Sequence, residues 1–172
     1  MAVMIPPSPW LVRHLPQFPE SGQILDLACG GGRHARWLAA RGRNVLAVDR
    51  DRSALAGLHG LPGIVVLAAD LEGDAWPLAG RQFAGVVVSN YLWRPRLADV
   101  CALLAPGGVL IYETFMVGNE AYGKPSNPDF LLRPGELRTL AEAAGLRELA
   151  FQEGYADLPK PAMRQAICAV RE

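Results

Sequence analysis

Cysteine is scarce: Cys29, Cys101 and Cys168 are the only three in 172 residues. Their number and wide spacing exclude a disulfide framework and predict reduced thiols. Histidine is equally sparse, and His14, His34 and His59 lack the short paired spacings of a zinc site, so no metal is expected. Neither sign of charge prevails, with 17 Lys and Arg against 17 Asp and Glu. That balance argues against a nucleic-acid partner, which a protein meets with a positive field, and favours a small molecule. Apolar runs all fall short of the roughly 18 residues that a membrane span needs, and no membrane partner is expected. The N-terminal stretch Met1-Ala-Val-Met-Ile-Pro-Pro-Ser-Pro9 has no basic region leading into a long apolar run and no small-residue cleavage site. A cytoplasmic location is therefore expected. Repeats and low-complexity tracts are absent, and nothing in the sequence sets an oligomeric state.

What is present reads as one domain over residues 1–172, a size that buries a core without covalent staples. Apolar runs bounded by turn signals predict strands over 23–27, 44–48, 64–68, 83–89 and 109–115. A run such as Gly85-Val-Val-Val-Ser89 is apolar on both sides, as in a parallel sheet covered on both faces. Helices are predicted over 33–41, ending at Gly42; over 53–58, with Ser53 as the cap; and over 96–104, ending before Pro106-Gly107-Gly108. A fourth, over 134–144, has Pro134 in its first turn and Gly145 just beyond its last. Two more strands, 146–154 and 164–171, flank a loop holding Pro159 and Pro161 that is too short for a helical crossover, so they should pair antiparallel. The expected fold class is α/β, an open and mostly parallel sheet with a C-terminal antiparallel hairpin and helices on both faces. Residues 1–22, with an amphipathic stretch starting at Trp10, are expected to cover part of the sheet. The connection over 116–132 is longer than most loops in compact domains and shows neither helical nor strand pattern. Leaving the carboxyl end of the fifth strand, it reads either as a lid or ligand-binding loop or as a surface crossover.

The most informative segment is Gln23-Ile-Leu-Asp-Leu-Ala-Cys-Gly-Gly-Gly-Arg-His-Ala-Arg-Trp-Leu38: an apolar strand, an acid, three glycines, then a helix. Glycines let a ligand approach the backbone closely, and the helix opening after them offers unpaired amides. Asp49 closes the second strand in Val45-Leu-Ala-Val-Asp-Arg50, where a carboxylate can accept hydrogen bonds from both hydroxyls of a ribose. A nucleoside ligand is implied. The spacing Gly30-x-Gly32-x-x-Ala35 also satisfies the dinucleotide fingerprint of nicotinamide and flavin enzymes. Two acids weigh against pyrophosphate: Asp26 ahead of the glycines, and Asp70 after the third strand in Ala69-Asp70-Leu71. An anion there suits a ligand bearing a protonated amine and a sulfonium.

These residues resemble the class I S-adenosylmethionine-dependent methyltransferases. Asp26-Leu-Ala-Cys-Gly-Gly-Gly32 is similar to that family's first motif, Asp49 to its ribose-binding acid, Asp70 to the acid or amide near the adenine amino group, and Leu104-Ala-Pro-Gly-Gly-Val-Leu110 to the turn before its fifth strand. The resemblance implies a Rossmann-like fold, S-adenosylmethionine as methyl donor, S-adenosylhomocysteine as product and no metal. The cofactor residues it points to are Asp26, Ala28, Gly30, Gly32, Arg33, Asp49, Arg50, Asp70, Leu71 and Asn90. At Ala28 the family commonly has glycine, and because alanine has restricted access to positive φ the loop is expected to turn without it. Gly32-Arg33 and Leu132-Arg-Pro-Gly-Glu-Leu137 are similar to the small tellurite-resistance-type methyltransferases. By that resemblance Arg33 pairs with the carboxylate of the methionine moiety; the plain alternative is a solvated arginine at a helix start.

Methyl transfer from a sulfonium is an in-line displacement that depends mainly on proximity and alignment. Glu113, late in the fifth strand, is the candidate base should the acceptor have to lose a proton, and its alternative is an ion pair with Arg94 or Arg133. Tyr91, Trp93, Phe115 and Tyr122 are candidates to line an acceptor pocket, or else belong to core and rim. Ser89-Asn-Tyr-Leu92 lacks the two prolines of enzymes that methylate amino groups of DNA bases, and no Pro-Cys pair follows the fourth strand to attack a pyrimidine ring. Methyl transfer to a small molecule is the resulting expectation. Two competing readings stand beside it: a non-catalytic S-adenosylmethionine-binding module acting through a protein partner, and a nicotinamide-dependent oxidoreductase, which lacks a Tyr-x-x-x-Lys helix or a paired His and Asp.

Overall fold

The computed structural model describes residues 4–172, so residues 1–3 of the expected covering segment lie outside the described residues. Among the described residues seven strands form one sheet: β1 (Ile24–Leu27), β2 (Val45–Asp49), β3 (Ile64–Ala68), β4 (Phe83–Ser89), β5 (Leu104–Phe115), β6 (Arg147–Ala156) and β7 (Ala162–Val170). Their order across the sheet is β3-β2-β1-β4-β5-β7-β6. The first five run parallel, and β7 lies antiparallel to both β5 and β6. This is the mixed sheet with a C-terminal hairpin that the apolar runs predict. The chain winds outward from β1 through β2 to β3, then returns to place β4 on the other side of β1. Such a reversal opens a crevice at the carboxyl ends of β1 and β4.

Among the described residues five short α-helices cover the sheet: α1 (Pro9–His14), α2 (Arg33–Ala39), α3 (Arg52–Leu55), α4 (Leu97–Ala102) and α5 (Glu136–Ala143). None is long and apolar enough to cross a membrane. Strand side chains alternate between two cores, as the pleat requires. Leu110 and Tyr112 of β5 join Val100 of α4 and Leu137 of α5 in one cluster; Val109 and Ile111 join Trp10 of α1 and Leu38 of α2 in the other. Helices therefore lie on both faces. Trp10 is buried and its indole Nε1 donates to the Ile167 carbonyl of β7 at 3.1 Å, which fixes α1 over the β5–β7 side. Ser8 is tied to the other end of this face, its amide donating to His34 Nε2 at 3.0 Å.

Three local expectations are corrected. Ser53 is not the cap of α3. Asp51 is, its Oδ1 accepting from the amides of Ser53 at 2.9 Å and Ala54 at 3.1 Å; the helix begins one residue before the serine, which therefore lies inside its first turn. The fifth strand begins at Leu104 rather than Val109, because the Pro106-Gly107-Gly108 turn is drawn into the ladder by Gly107 N–H to Arg171 O and Arg171 N–H to Gly108 O. The connection over 116–132 is not featureless: it holds two 3-10 turns, Asn119–Ala121 and Pro128–Phe130, and Met116 bridges Leu132. Buried Asn119 ties it to the hairpin, accepting from the Met163 amide at 3.1 Å and donating to Pro125 O at 3.0 Å. From the other side Arg94 donates to the carbonyls of Asp129 and Leu131 while forming a two-pronged ion pair with Glu136.

Candidate active site

The crevice is built from strand ends. Past Leu27 the chain turns sharply, and Ala28 adopts φ 54. This corrects the expectation that the loop turns without a left-handed alanine. An L-residue in that region costs about 1–2 kcal/mol. The turn is held regardless by Cys29 N–H to Val48 O and Gly32 N–H to Cys29 O, both 2.9 Å. Gly30 (φ 56) and Gly32 (φ 78) do different jobs. A methyl group on Gly30 would meet no atom within 4 Å, so the space beside its Cα is open; one on Gly32 would stand 2.6 Å from Leu58, so that glycine is a packing requirement.

Gly32 caps α2 with no side chain to offer the first-turn amides. Asp26 supplies the missing acceptor, its Oδ2 taking the Ala35 N–H at 2.9 Å. Asp49 performs the matching task from β2, with Oδ2 accepting from Gly30 N–H at 2.8 Å and Oδ1 from Asp51 N–H at 2.9 Å. Asp26 is 2% exposed. Burial and the nearby Asp49 raise its pKa from 3.8 to about 7, against the opposing pull of the Ala35 amide and the Arg33 guanidinium. Burial and Arg33 hold His34 down at about 3, so its neutral ring accepts the Ser8 amide.

Two cavities flank the glycine loop. The first, of about 200 Å³, is lined by Ala28, Asp49, Arg50, Leu71, Asn90 and Tyr91, with Ala69 and Glu72 completing the wall. Six residues picked out in the sequence thus converge from β1, β2, β3 and β4. Asp70 is adjacent but turned to its own backbone, accepting from Glu72 N–H at 2.9 Å. Glu72 is a wall residue that sequence reasoning missed; its only signal is its place two residues past that acid. Burial together with the neighbouring Glu72 pushes the ionisation of the Tyr91 hydroxyl up. The second cavity, of about 370 Å³, is lined by Cys29, Gly31, Gly32, Arg33 and Arg36 with Met4 and Ile5. Arg33 donates to Pro6 O at 3.2 Å and to Ser89 Oγ at 3.3 Å.

Glu113 lies at the carboxyl end of β5 and is 8% exposed. Its Oε1 accepts from Ser89 Oγ at 3.3 Å, and its Oε2 stands 3.9 Å from Arg164 Nη2. The expected partner is corrected: Arg94 is committed to Glu136, and the nearest cation is Arg164, delivered by the pairing of β7 with β5. Arg164 also donates to Oδ1 of Asn90, which sits at φ 57. Of the expected aromatic wall, Tyr91 alone lines the first cavity. Phe115 lies beneath the Arg164 guanidinium at 4.6 Å, Trp93 precedes α4 half-buried, and Tyr122 is exposed and packs on Tyr155 at 5.5 Å.

A family described as a methyltransferase domain matches residues 24–108, the stretch from β1 into the turn of β5. Over that stretch the chain carries a methyltransferase domain, and its fold is that of the S-adenosylmethionine-dependent methyltransferases. Among solved structures, this methyltransferase is similar to TehB from Haemophilus influenzae, with a TM-score of 0.76 and 16% identity over 95% of this chain and 61% of that one. It therefore spans about three fifths of TehB, 61% of its length. A methyltransferase from Methanosarcina mazei gives 0.71 and 16%, over 97% and 99% of the two chains. The 1,6-didemethyltoxoflavin-N1-methyltransferase of Burkholderia thailandensis, solved with 1,6-didemethyltoxoflavin and S-adenosylhomocysteine, gives 0.68 and 21%, over 94% and 74%. At these identities the likeness is one of fold. No curated protein matches the chain by sequence. Between the two readings of the glycine spacing, the family match decides for methyl transfer over nicotinamide chemistry.

Replacing Ala28 by glycine removes the left-handed strain at the cost of a more flexible unfolded chain, so the variant should be more stable by up to about 1 kcal/mol in urea unfolding. Asp26 makes the unliganded protein pH-sensitive. Its folded pKa, about 7, lies above the ordinary 3.8, so its stabilising contribution is complete below about pH 4 and is lost as the pH rises to 7. Asp26→Asn, which keeps an acceptor for Ala35, should flatten the fall in urea midpoint between pH 4.5 and 7.5 that the wild type shows.

Proposed function

We propose that this methyltransferase carries the methyl group of S-adenosylmethionine to a small-molecule acceptor standing at the carboxyl ends of β4 and β5. The observation that carries the reading is the meeting of two carboxylates and an open glycine backbone at the one point where the sheet reverses direction. Two acids repel a pyrophosphate and attract a cation. The hydrogen bonds among the described residues use only Oδ2 of Asp26, which leaves Oδ1 for a protonated amine. Asp49 retains lone pairs for ribose hydroxyls beyond the two amides it holds. Leu71 and Ala69 provide an apolar wall for the adenine, next to Asp70, with Arg50 and Asn90 at its edges and Ala28 beside them; Gly32 lines the second cavity, and Gly30 lies in the loop between the two. Arg33 stands where the methionine carboxylate is expected.

Bound there, S-adenosylmethionine supplies a methyl group on a sulfonium, a good leaving group. The protein's share is alignment: it holds the nucleophile in line and excludes water, which accounts for much of the rate. Glu113 takes the proton of a nucleophile that carries one, and Ser89 and Arg164 fix the direction of its carboxylate.

Calorimetric titration with S-adenosylmethionine, S-adenosylhomocysteine and NAD tests the reading. Saturable binding of the first two is expected, weakened at least about tenfold in Asp49→Ala, as befits the loss of hydrogen bonds to a charged acceptor. Asp49→Asn keeps an acceptor for the Gly30 amide and should bind with intermediate affinity. Binding of NAD alone, or of none of the three, contradicts the reading.

A further inference from the structure

A third cavity lies on the far side of Glu113, between α1 and the β6–β7 hairpin, with a volume of about 420 Å³. Its two ends differ in chemistry. Trp10 forms an apolar wall, held edge-on by its hydrogen bond to Ile167 O, and Tyr155 and Leu158, 55% and 76% exposed, stand at the mouth. Glu113 and Arg164 close the inner end. We propose that this cavity holds the methyl acceptor, that the acceptor is a small molecule with an apolar body and a carboxylate, and that Arg164 anchors the carboxylate. The proposal rests on the methyltransferase reading above and adds the acceptor's class and its anchor.

Arg164 carries the argument because its charge is incompletely answered by the protein. It sits on β7 opposite Phe115 of β5, and its side chain is 16% exposed. Nη2 donates to Asn90 Oδ1 at 2.7 Å. Glu113 stands 3.9 Å away, beyond hydrogen-bonding distance, and spends Oε1 on Ser89. Among the described residues no hydrogen bond uses Nε or Nη1 of Arg164, although both belong to a guanidinium on the cavity wall. Nη2 uses one of its two hydrogens on Asn90, so its second hydrogen together with the neighbouring Nε or Nη1 gives a planar carboxylate the side-by-side donors it needs for two parallel bonds. Burial and the repulsion of Arg33 both make the Arg164 charge harder to hold, with Glu113 opposing them. An incoming anion relieves both burdens.

The remaining features agree with this. Asn90 lines the first cavity and holds Arg164 at the edge of the third, so one residue joins the two. Arg33 lies across Ser89 from Glu113, which leaves one arginine on the glycine-loop side and one on the hairpin side. Glu113 then faces the part of the acceptor next to the carboxylate, and a neutral hydroxyl or amine fits beside it better than a second anion.

The test uses protein saturated with S-adenosylhomocysteine, so that the glycine-loop side is filled before any probe is added. The probes are 4-hydroxybenzoate and 3-phenylpropionate, each beside its primary amide, which has nearly the same shape without the charge; binding is read by ligand-observed NMR. At least one acid should bind no less than tenfold more tightly than its amide. Arg164→Gln should abolish that preference, and Arg164→Lys should keep part of it. Equal binding of acid and amide, no binding of either acid to the wild type, or a preference that survives Arg164→Gln overturns the assignment. The acid-against-amide comparison in the wild type stands whatever the variants do. Failure of the wild type to bind S-adenosylhomocysteine overturns the cofactor reading and this proposal together, whereas lost acid preference with that binding intact overturns only this one.

Discussion

Two carboxylates at the ends of adjacent parallel strands hold one loop from opposite sides. Asp26 takes the Ala35 amide at the start of α2, and Asp49 takes the Gly30 amide three residues before that helix. Backbone bonds from Cys29 to Val48 and from Gly32 to Cys29 also hold the loop, which contains three glycines and an alanine in a disfavoured conformation, and α2 has no side-chain cap of its own. Each bond joins an amide to a side-chain carboxyl oxygen in or near the protein interior, where hydrogen bonds are strong. The position of α2, the Cys29–Arg33 turn and both flanking cavities follow from these two contacts.

The same arrangement decides what the site can bind. A dinucleotide-binding loop of similar glycine spacing uses its amides for phosphate; here carboxylates already occupy two of those amides, and their negative charge remains. The site is therefore tuned for a nucleoside with positive charge close to the ribose. From α2 the polar chain continues through Arg33, Ser89 and Glu113 to Arg164 and Asn90, crossing β4, β5 and β7 at their ends. In the function proposed above, methyl donor and acceptor meet along this line, which the antiparallel hairpin finishes by bringing β7 beside β5.

The fold was legible because its causes are local. Apolar runs of five to seven residues between turn signals place β2, β3 and β4 at their observed positions within a residue, and the short 157–161 connection requires the antiparallel pairing of β6 and β7. Asp26, Asp49 and the glycines were legible for the same reason: strand, acid and turn follow one another along the chain. What escaped depends on competition or on distance. Ser53 and Asp51 both qualify as caps, and only the backbone path shows that the helix begins before the serine. Ala28 adopts the conformation that its side chain resists because Val48 and Cys29 hold the amides around it. Arg164 lies 74 positions from Asn90 and meets it only through strand register, so no spacing rule announces it. The 116–132 connection looked patternless because side chains elsewhere, above all Arg94, give it its order.

The central claim, that a buried and partly protonated Asp26 awaits a cationic nucleoside, is tested most directly by titrating S-adenosylhomocysteine into the protein near pH 6.5 in two buffers of different ionisation enthalpy. A bound amine lowers the Asp26 pKa from about 7, so the complex should release a sizeable fraction of one proton, affinity should rise from pH 6 to pH 8, and Asp26→Asn should abolish both effects. Heats independent of buffer and an affinity flat across that range would contradict the account.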